Sequence, residues 1–232
     1  MNVLGIDTAG PVTGLALVTP HQEWSWSKRI VKGADALLLD KLSNIVATQE
    51  IDAIALSIGP GSFTSLRVGV SIALGFAVAR NIPVIPVSSL AIRAAMFPHE
   101  CCLALLDARR GKVYAQCFDS TTQIPNPLTS PKDCPLIDIL PKQTFIAVGE
   151  GASVYRKEIL DHGGFVPRDA TRSPALMLAQ LGIKLQERGR PAQEISINYV
   201  RGASVVPPKQ LGVPVGQPHD SINRQDTASQ PE

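Results

Sequence analysis

Asp7 closes a short apolar run, Val3-Leu4-Gly5-Ile6, and Thr8-Ala9-Gly10-Pro11 follows at once. A carboxylate at a strand end, with a hydroxyl beside it and a Gly-Pro turn behind it, can face a phosphate or a magnesium ion. The same residues equally suit an Asp that hydrogen-bonds its own turn. A second polar turn, Gly59-Pro60-Gly61-Ser62, separates an apolar run from a long apolar segment. Gly59 and Gly61 permit φ > 0 and Pro60 fixes its own φ, so the turn is built for tightness. Ser62 and Thr64 are capping residue types for a helix that begins there, and the free N–H groups of such a helix start can hold an anion. Asp107-Ala108-Arg109-Arg110-Gly111-Lys112 is the densest charged turn. Asp107, Arg109 and Arg110 suit an anion or partner contact, or a solvated hairpin with an Asp–Arg pair. Gly149-Glu150-Gly151-Ala152 has the form of an adenosine-binding loop and, more simply, of a strand-to-helix turn.

Other chemistries find no support. The chain contains no G-x-x-x-x-G-K-[ST] phosphate loop, and Gly59-Pro60-Gly61-Ser62-Phe63 has the wrong spacing for a G-x-S-x-G elbow. Ser62 therefore reads as a cap or turn residue rather than a peptidase nucleophile. His21, His99, His162 and His219 never stand three or four residues apart, so no helical metal pair exists. Cys101, Cys102, Cys117 and Cys134 form no C-x-x-C and read as small buried hydrophobes in a reducing cytoplasm. No catalytic residue and no metal site is expected. With 22 basic against 20 acidic residues, the net charge of +2 is no nucleic-acid footprint. Aromatic content of 5% offers no platform for stacked bases. The first residues lack the basic-then-apolar pattern of a secretory signal.

Three apolar or alternating runs, 3–7, 14–19 and 23–30, separated by short turns, predict an antiparallel meander. A helix is expected over 35–48, with Leu38, Leu42, Ile45 and Val46 on one side. A strand over 52–59, a helix over 64–80, a strand over 83–87 and a short helix to Phe97 follow. A second unit begins near Cys101 with strands over 101–107 and 113–119, the first again ending on an Asp. Residues 120–141 read as irregular, 144–148 as a strand and 174–188 as a helix begun by Ser173-Pro174. The expected class is α/β with mixed sheets. The expected organisation is a lobe over 1–100 that carries the partner-binding helices, a smaller lobe over 101–201 whose last segment can return to the first, and a disordered tail over 202–232.

The helix over 64–80 is unusual. Between Arg67 and Arg80 no side chain is charged. Ser65, Gly69, Ala73 and Ala77 form one small-residue stripe, and Ser71, Gly75 and Ala79 form a second. A helix apolar all round is expected to be buried all round, and it falls short of the about 20 residues of a typical bilayer span. One face is expected on its own sheet. The stripe Ser65, Gly69, Ala73, Ala77, with Leu38 and Leu42, is expected to admit a partner helix at close range. The alternative is a central core helix without a partner.

Val3-Leu4-Gly5-Ile6-Asp7-Thr8, Gly59-Pro60-Gly61-Ser62-Phe63-Thr64-Ser65-Leu66-Arg67-Val68-Gly69, Pro86-Val87-Ser88-Ser89-Leu90 and Asp107-Ala108-Arg109-Arg110-Gly111-Lys112-Val113-Tyr114 resemble the bacterial TsaB (YeaZ) family in order and spacing. Tyr199-Val200-Arg201 is similar to that family's closing Tyr-Leu-Arg. The resemblance implies an actin-like (ASKHA, ribonuclease H-like) fold of two lobes. It implies a non-catalytic partner of a TsaD-type transferase, joined by a TsaE-type ATPase, that acts in placing threonylcarbamoyl on the adenosine 3′ to the anticodon. It implies pairing through the helices over 35–48 and 64–80, as homodimer or heterodimer. It requires no cofactor of this chain, leaves room for ATP or ADP at the partner contact, and implies tRNA met only within the complex and no membrane. TsaD carries its metal on a His-x-x-x-His pair, and this chain has none. Three features depart from the family. Ser65 stands where Gly is usual, Gly33-Ala34-Asp35-Ala36 replaces a His-Ser-rich start, and the stretch past Gly202 is longer and more polar. The competing reading is a free-standing actin-fold ATPase or phosphotransferase, using Asp7 near magnesium, the 59–62 turn and the 149–152 loop.

Overall fold

The computed structural model describes residues 1–29, 34–168 and 173–200. The expected tail over 202–232 lies outside them. The meander forms as β1 (Val3–Asp7), β2 (Val12–Val18) and β3 (Glu23–Arg29), followed by α1 (Ala34–Thr48), β4 (Ala53–Ser57), α2 (Phe63–Arg80), β5 (Val84–Val87) and α3 (Ser89–Ala95). The strands assemble in the order β3-β2-β1-β4-β5. β1 pairs antiparallel with β2 and parallel with β4. Every residue of β1 and β4 is buried, as the unbroken apolar runs require of strands covered on both faces. The polar edge strand β3 is exposed along its length save Trp26, which is partly buried.

Alternation along the strands sorts the two faces. Leu4, Ile6, Leu15, Leu17, Ile54 and Leu56 pack with Leu38 and Leu42 of α1 and Val70 and Ala73 of α2. The opposite face, through Val3, Ala53 and Ala55, receives Leu178 and Leu181 of α6 (Ala175–Lys184), while Ala16 and Val18 meet Ala175 and Ala179. A helix from the last third of the described chain thus covers the first sheet.

The second sheet is built from β6 (Cys102–Arg109), β7 (Lys112–Asp119), β8 (Asn126–Pro127), β9 (Lys132–Cys134) and β10 (Ile146–Val148), in the order β10-β6-β7-β8 with β9 also on β7. β6 repeats the part of β1: it opens an antiparallel hairpin and pairs parallel with a later strand, β10. One face packs on Ala152 of α4 (Glu150–Val154) and Ile159 of α5 (Arg156–Asp161). The other face, Cys102, Ala104 and Leu106, packs on Leu90 and Ala94 of α3. Ile92 of α3 meets the first sheet's cluster. α3 therefore lies between the sheets and touches both. Two mixed sheets, the first with its 3-2-1-4-5 order and helices on both faces, make the actin-like, ribonuclease H-like fold.

Several expectations shift. The 120–141 stretch contains β8 and β9, short strands that carry too few residues for a period-2 signal. The 174–188 helix ends as α-helix at Lys184 and closes with a 3-10 turn, Gln186–Arg188. α2 is not buried all round. Leu66, Gly69, Val70, Ala73 and Ala77 are buried, while Val78 is 57% and Phe63 50% exposed. Its 18 residues are by length and composition enough to cross a membrane, contrary to the length expectation. Its place on a sheet that has open edges argues against lipid around it.

Candidate functional site

Asp7 and Thr8 lie at the end of β1, 0% and 3% exposed. The Asp7 carboxylate accepts the Ala9 N–H at 3.4 Å, the turn bond that its position suggested. Its other oxygen meets a partner that the sequence reading missed. Arg93, on α3, donates from Nη2 to Asp7 Oδ2 at 3.4 Å. The same guanidinium grips Glu150 with two bonds, Nε to Oε2 at 2.8 Å and Nη2 to Oε1 at 2.9 Å, and donates from Nη1 to the Ser89 carbonyl at 2.9 Å. Arg93 and Glu150 are both buried. Burial alone favours a neutral guanidine, but the Glu150 and Asp7 carboxylates outweigh it and push the Arg93 pKa further up. Asp7 belongs to the first sheet, Glu150 opens α4 behind the second, and Arg93 rides on the helix between. A signal for this was present: Arg93 is the only charged residue from Asn81 to Pro98. A lone charge in so apolar a run has to be paired when the run is buried.

The glycine-rich turn is spent on internal contacts. The Gly59–Pro60 peptide is cis. Ser89 Oγ sits 2.7 Å from Ser57 Oγ and accepts the Gly59 N–H at 3.0 Å, while Ser89 N donates to the Gly59 carbonyl at 2.9 Å. Gly61 lies against the Ala9 backbone, and Ser62 N donates to the Ala9 carbonyl at 2.9 Å. Ser62 holds the N-cap position of α2 but makes no side-chain capping bond. Its hydroxyl pairs instead with Ser65 Oγ at 3.0 Å. The turn thus ties α2 to the loop after β1. The charged turn behaves as a hairpin tip: Asp107 Oδ1 accepts the Arg109 N–H at 2.8 Å, and Arg109 and Arg110 adopt φ of 61° and 55°. Asp107, Arg109 and Arg110 are exposed, and neither arginine forms an ion pair among the described residues.

Most of the expected partner stripe lies within the chain itself. Gly69, Ala73 and Ala77 face inward, as do Leu38 and Leu42, all within the chain's own core. Ser65 is half-buried. A Cβ on Gly69 would collide with the Thr8 side chain, so the small residues there serve the fit of α2 on β1. The second stripe is the open one. Ser71, Gly75 and Ala79 are exposed, with Val78 beside them, and a Cβ on Gly75 would meet nothing within 4 Å. Sequence could not choose between the stripes, because both have the same residue sizes and the same four-residue spacing. At the start of α2, Phe63 packs on the half-exposed ring of Tyr199 at 5.5 Å, with the Arg67 guanidinium 5.1 Å from the Phe63 centroid.

The four cysteines are free. Burial pushes the Cys102 thiol up to about 12 and the Cys117 thiol up to about 11, which suits packing rather than nucleophilic or ligand roles. Among the described residues, no three His, Cys, Asp or Glu side chains stand close enough to hold a metal ion.

A family model described as "TsaD: tRNA N6-adenosine threonylcarbamoyltransferase" matches residues 27–129. A Haemophilus influenzae protein named "tRNA threonylcarbamoyladenosine biosynthesis protein TsaB" is 32% identical over 123 residues, 49% of this chain and 52% of its own. A Bacillus subtilis protein of the same name is 28% identical over 193 residues, 75% of this chain and 83% of its own. The chain thus spans about half the length of the first relative and most of the second. Among solved structures, a Pseudomonas aeruginosa protein described as uncharacterised "with similarity to peptidase YEAZ" superposes with a TM-score of 0.72 at 25% identity, covering 86% of this chain and 99% of its own.

Proposed function

The chain belongs to the TsaB (YeaZ) family, and from that premise we propose that it serves tRNA threonylcarbamoyladenosine biosynthesis as a non-catalytic subunit. In this reading it binds a TsaD-type transferase and activates it for transfer to the adenosine 3′ to the anticodon. A TsaE-type ATPase completes the assembly, and tRNA is met only within it, in the cytoplasm. The observation that carries the reading is the outer face of α2. Ser71, Gly75, Val78 and Ala79 form an exposed strip of small and apolar residues. Small residues let a second helix approach closely, and the apolar surface favours covering. Asp7, the carboxylate best placed to serve a phosphotransferase, is already engaged by Arg93. That supports the scaffold over the free-standing ATPase.

The test is threonylcarbamoyl transfer to tRNA by TsaD-type and TsaE-type proteins, with and without this chain. Modification should require the chain, which alone should be inactive, and Gly75→Asp should abolish the stimulation while the variant stays folded. Transfer indifferent to the chain would overturn the scaffold role. Full stimulation by Gly75→Asp would move the interface elsewhere.

A further inference from the structure

An actin-like fold implies a magnesium-bound nucleotide held between the lobes, and the residues here do not fit one. The carboxylate at the end of β1 is wholly out of solvent, and Glu150, at the head of the 149–152 loop, is turned inward. Both are held by one guanidinium, whose Nη2 lies 3.4 Å from Asp7 Oδ2 and 2.9 Å from Glu150 Oε1. The Gly10 Cα stands so close to the Glu150 carboxylate that even a Cβ would collide with it. The Thr8 side chain is closed over in the same way by Gly69 of α2. No phosphate can reach Asp7 or Thr8 without parting these contacts.

We propose that Arg93 is a built-in counter-cation that takes the place of the ligand cation, so that the two sheets are joined permanently rather than on binding a nucleotide. Two buried carboxylates on different lobes repel unless a positive charge stands between them. A charge supplied by a bound ligand would arrive with the ligand and leave with it. Here it is covalently part of α3, the helix that packs on both sheets. The planar fork suits the role: two parallel bonds orient Glu150 while the remaining N–H groups reach Asp7 and the Ser89 carbonyl. The junction keeps an anionic excess, two carboxylates against one guanidinium. Removing the guanidinium should therefore uncover a cation site. Asp7 and Glu150 are near enough for a hydrated divalent ion to bridge them through water. The inference concerns the isolated chain and stands or falls without the scaffold reading.

Manganese titration of the full chain, followed by the electron paramagnetic resonance of the free ion, tests it. Wild type should take up no manganese at the junction. Arg93→Ala should bind a single ion per chain, and Arg93→Ala/Glu150→Gln should lose it. Because Arg93→Ala strands two buried carboxylates, thermal melts provide a second reading. Manganese should raise the Arg93→Ala melting temperature and leave wild type unmoved. The charge-free Asp7→Asn/Arg93→Met/Glu150→Gln chain should fold without metal. Uptake of manganese or manganese-ATP by wild type that Asp7→Asn abolishes would overturn the proposal. So would an Arg93→Ala chain showing neither uptake nor a manganese-dependent rise in melting. Nucleotide binding that Asp7→Asn leaves intact places the nucleotide outside the junction and supports the sealed reading.

Discussion

Gly69 and Gly75 stand on the same helix, each within a stripe of small residues, and they do opposite work. Gly69 is pressed against Thr8, with Ala73 and Ala77 continuing the buried contact. Gly75 faces open space, with Ser71 and Ala79 above and below it. The first stripe lets α2 settle onto its own sheet. The second stays open among the described residues. A small residue on a helix therefore marks a close approach without saying whose backbone approaches, and only burial tells the two apart.

The sharpest way to break the comparison is a charge on each side. Ala73→Asp places an unpaired carboxylate in the core and should cost on the order of 4 kcal/mol or more, enough to unfold the chain in a urea titration. Gly75→Asp should leave that titration nearly unchanged. Next in size is a single methyl group. Gly69→Ala overpacks against Thr8 and should destabilise by about 1–3 kcal/mol. Gly75→Ala should stabilise by about 0.5–1 kcal/mol, since it only removes backbone entropy from the unfolded chain. Equal effects at the two glycines would show that the faces do not differ. The mildest probe is thiol labelling at pH 8. A cysteine at the exposed Ala79 should react as an ordinary thiol. Cys102 and Cys117 serve as internal references. With pKa values raised to about 12 and about 11, roughly one in ten thousand and one in a thousand of them are thiolate at that pH. Burial favours the neutral thiol, so their protection should weaken only as pH climbs towards those values.

Much of the fold was legible because burial on both faces writes itself as unbroken apolar runs, as in 3–7 and 53–57, and because turns announce themselves at Gly10-Pro11 and Gly59-Pro60. The site was legible only in part. Asp7 is marked by its place at a strand end, and the lone charge of Arg93 shows that it must be paired, but nothing local identifies a partner 86 residues away. Glu150 was noted within a glycine-rich loop and not as a charge. The choice between the stripes of α2 needed the position of Thr8, which is a matter of tertiary packing.

α6 has a consequence for how the molecule comes into being. The chain completes the five strands of the first sheet by Val87, yet the helix that covers Val3, Ala53 and Ala55 begins only at Ala175. Roughly 90 residues must be synthesised in between, on the order of ten seconds at ribosomal speed. Throughout that interval one apolar face of a nearly finished sheet is bare. The nascent sheet is thus a natural client for a chaperone. It is also a natural point for exchange, since an α6 donated by a neighbouring chain would close the sheet as well as its own.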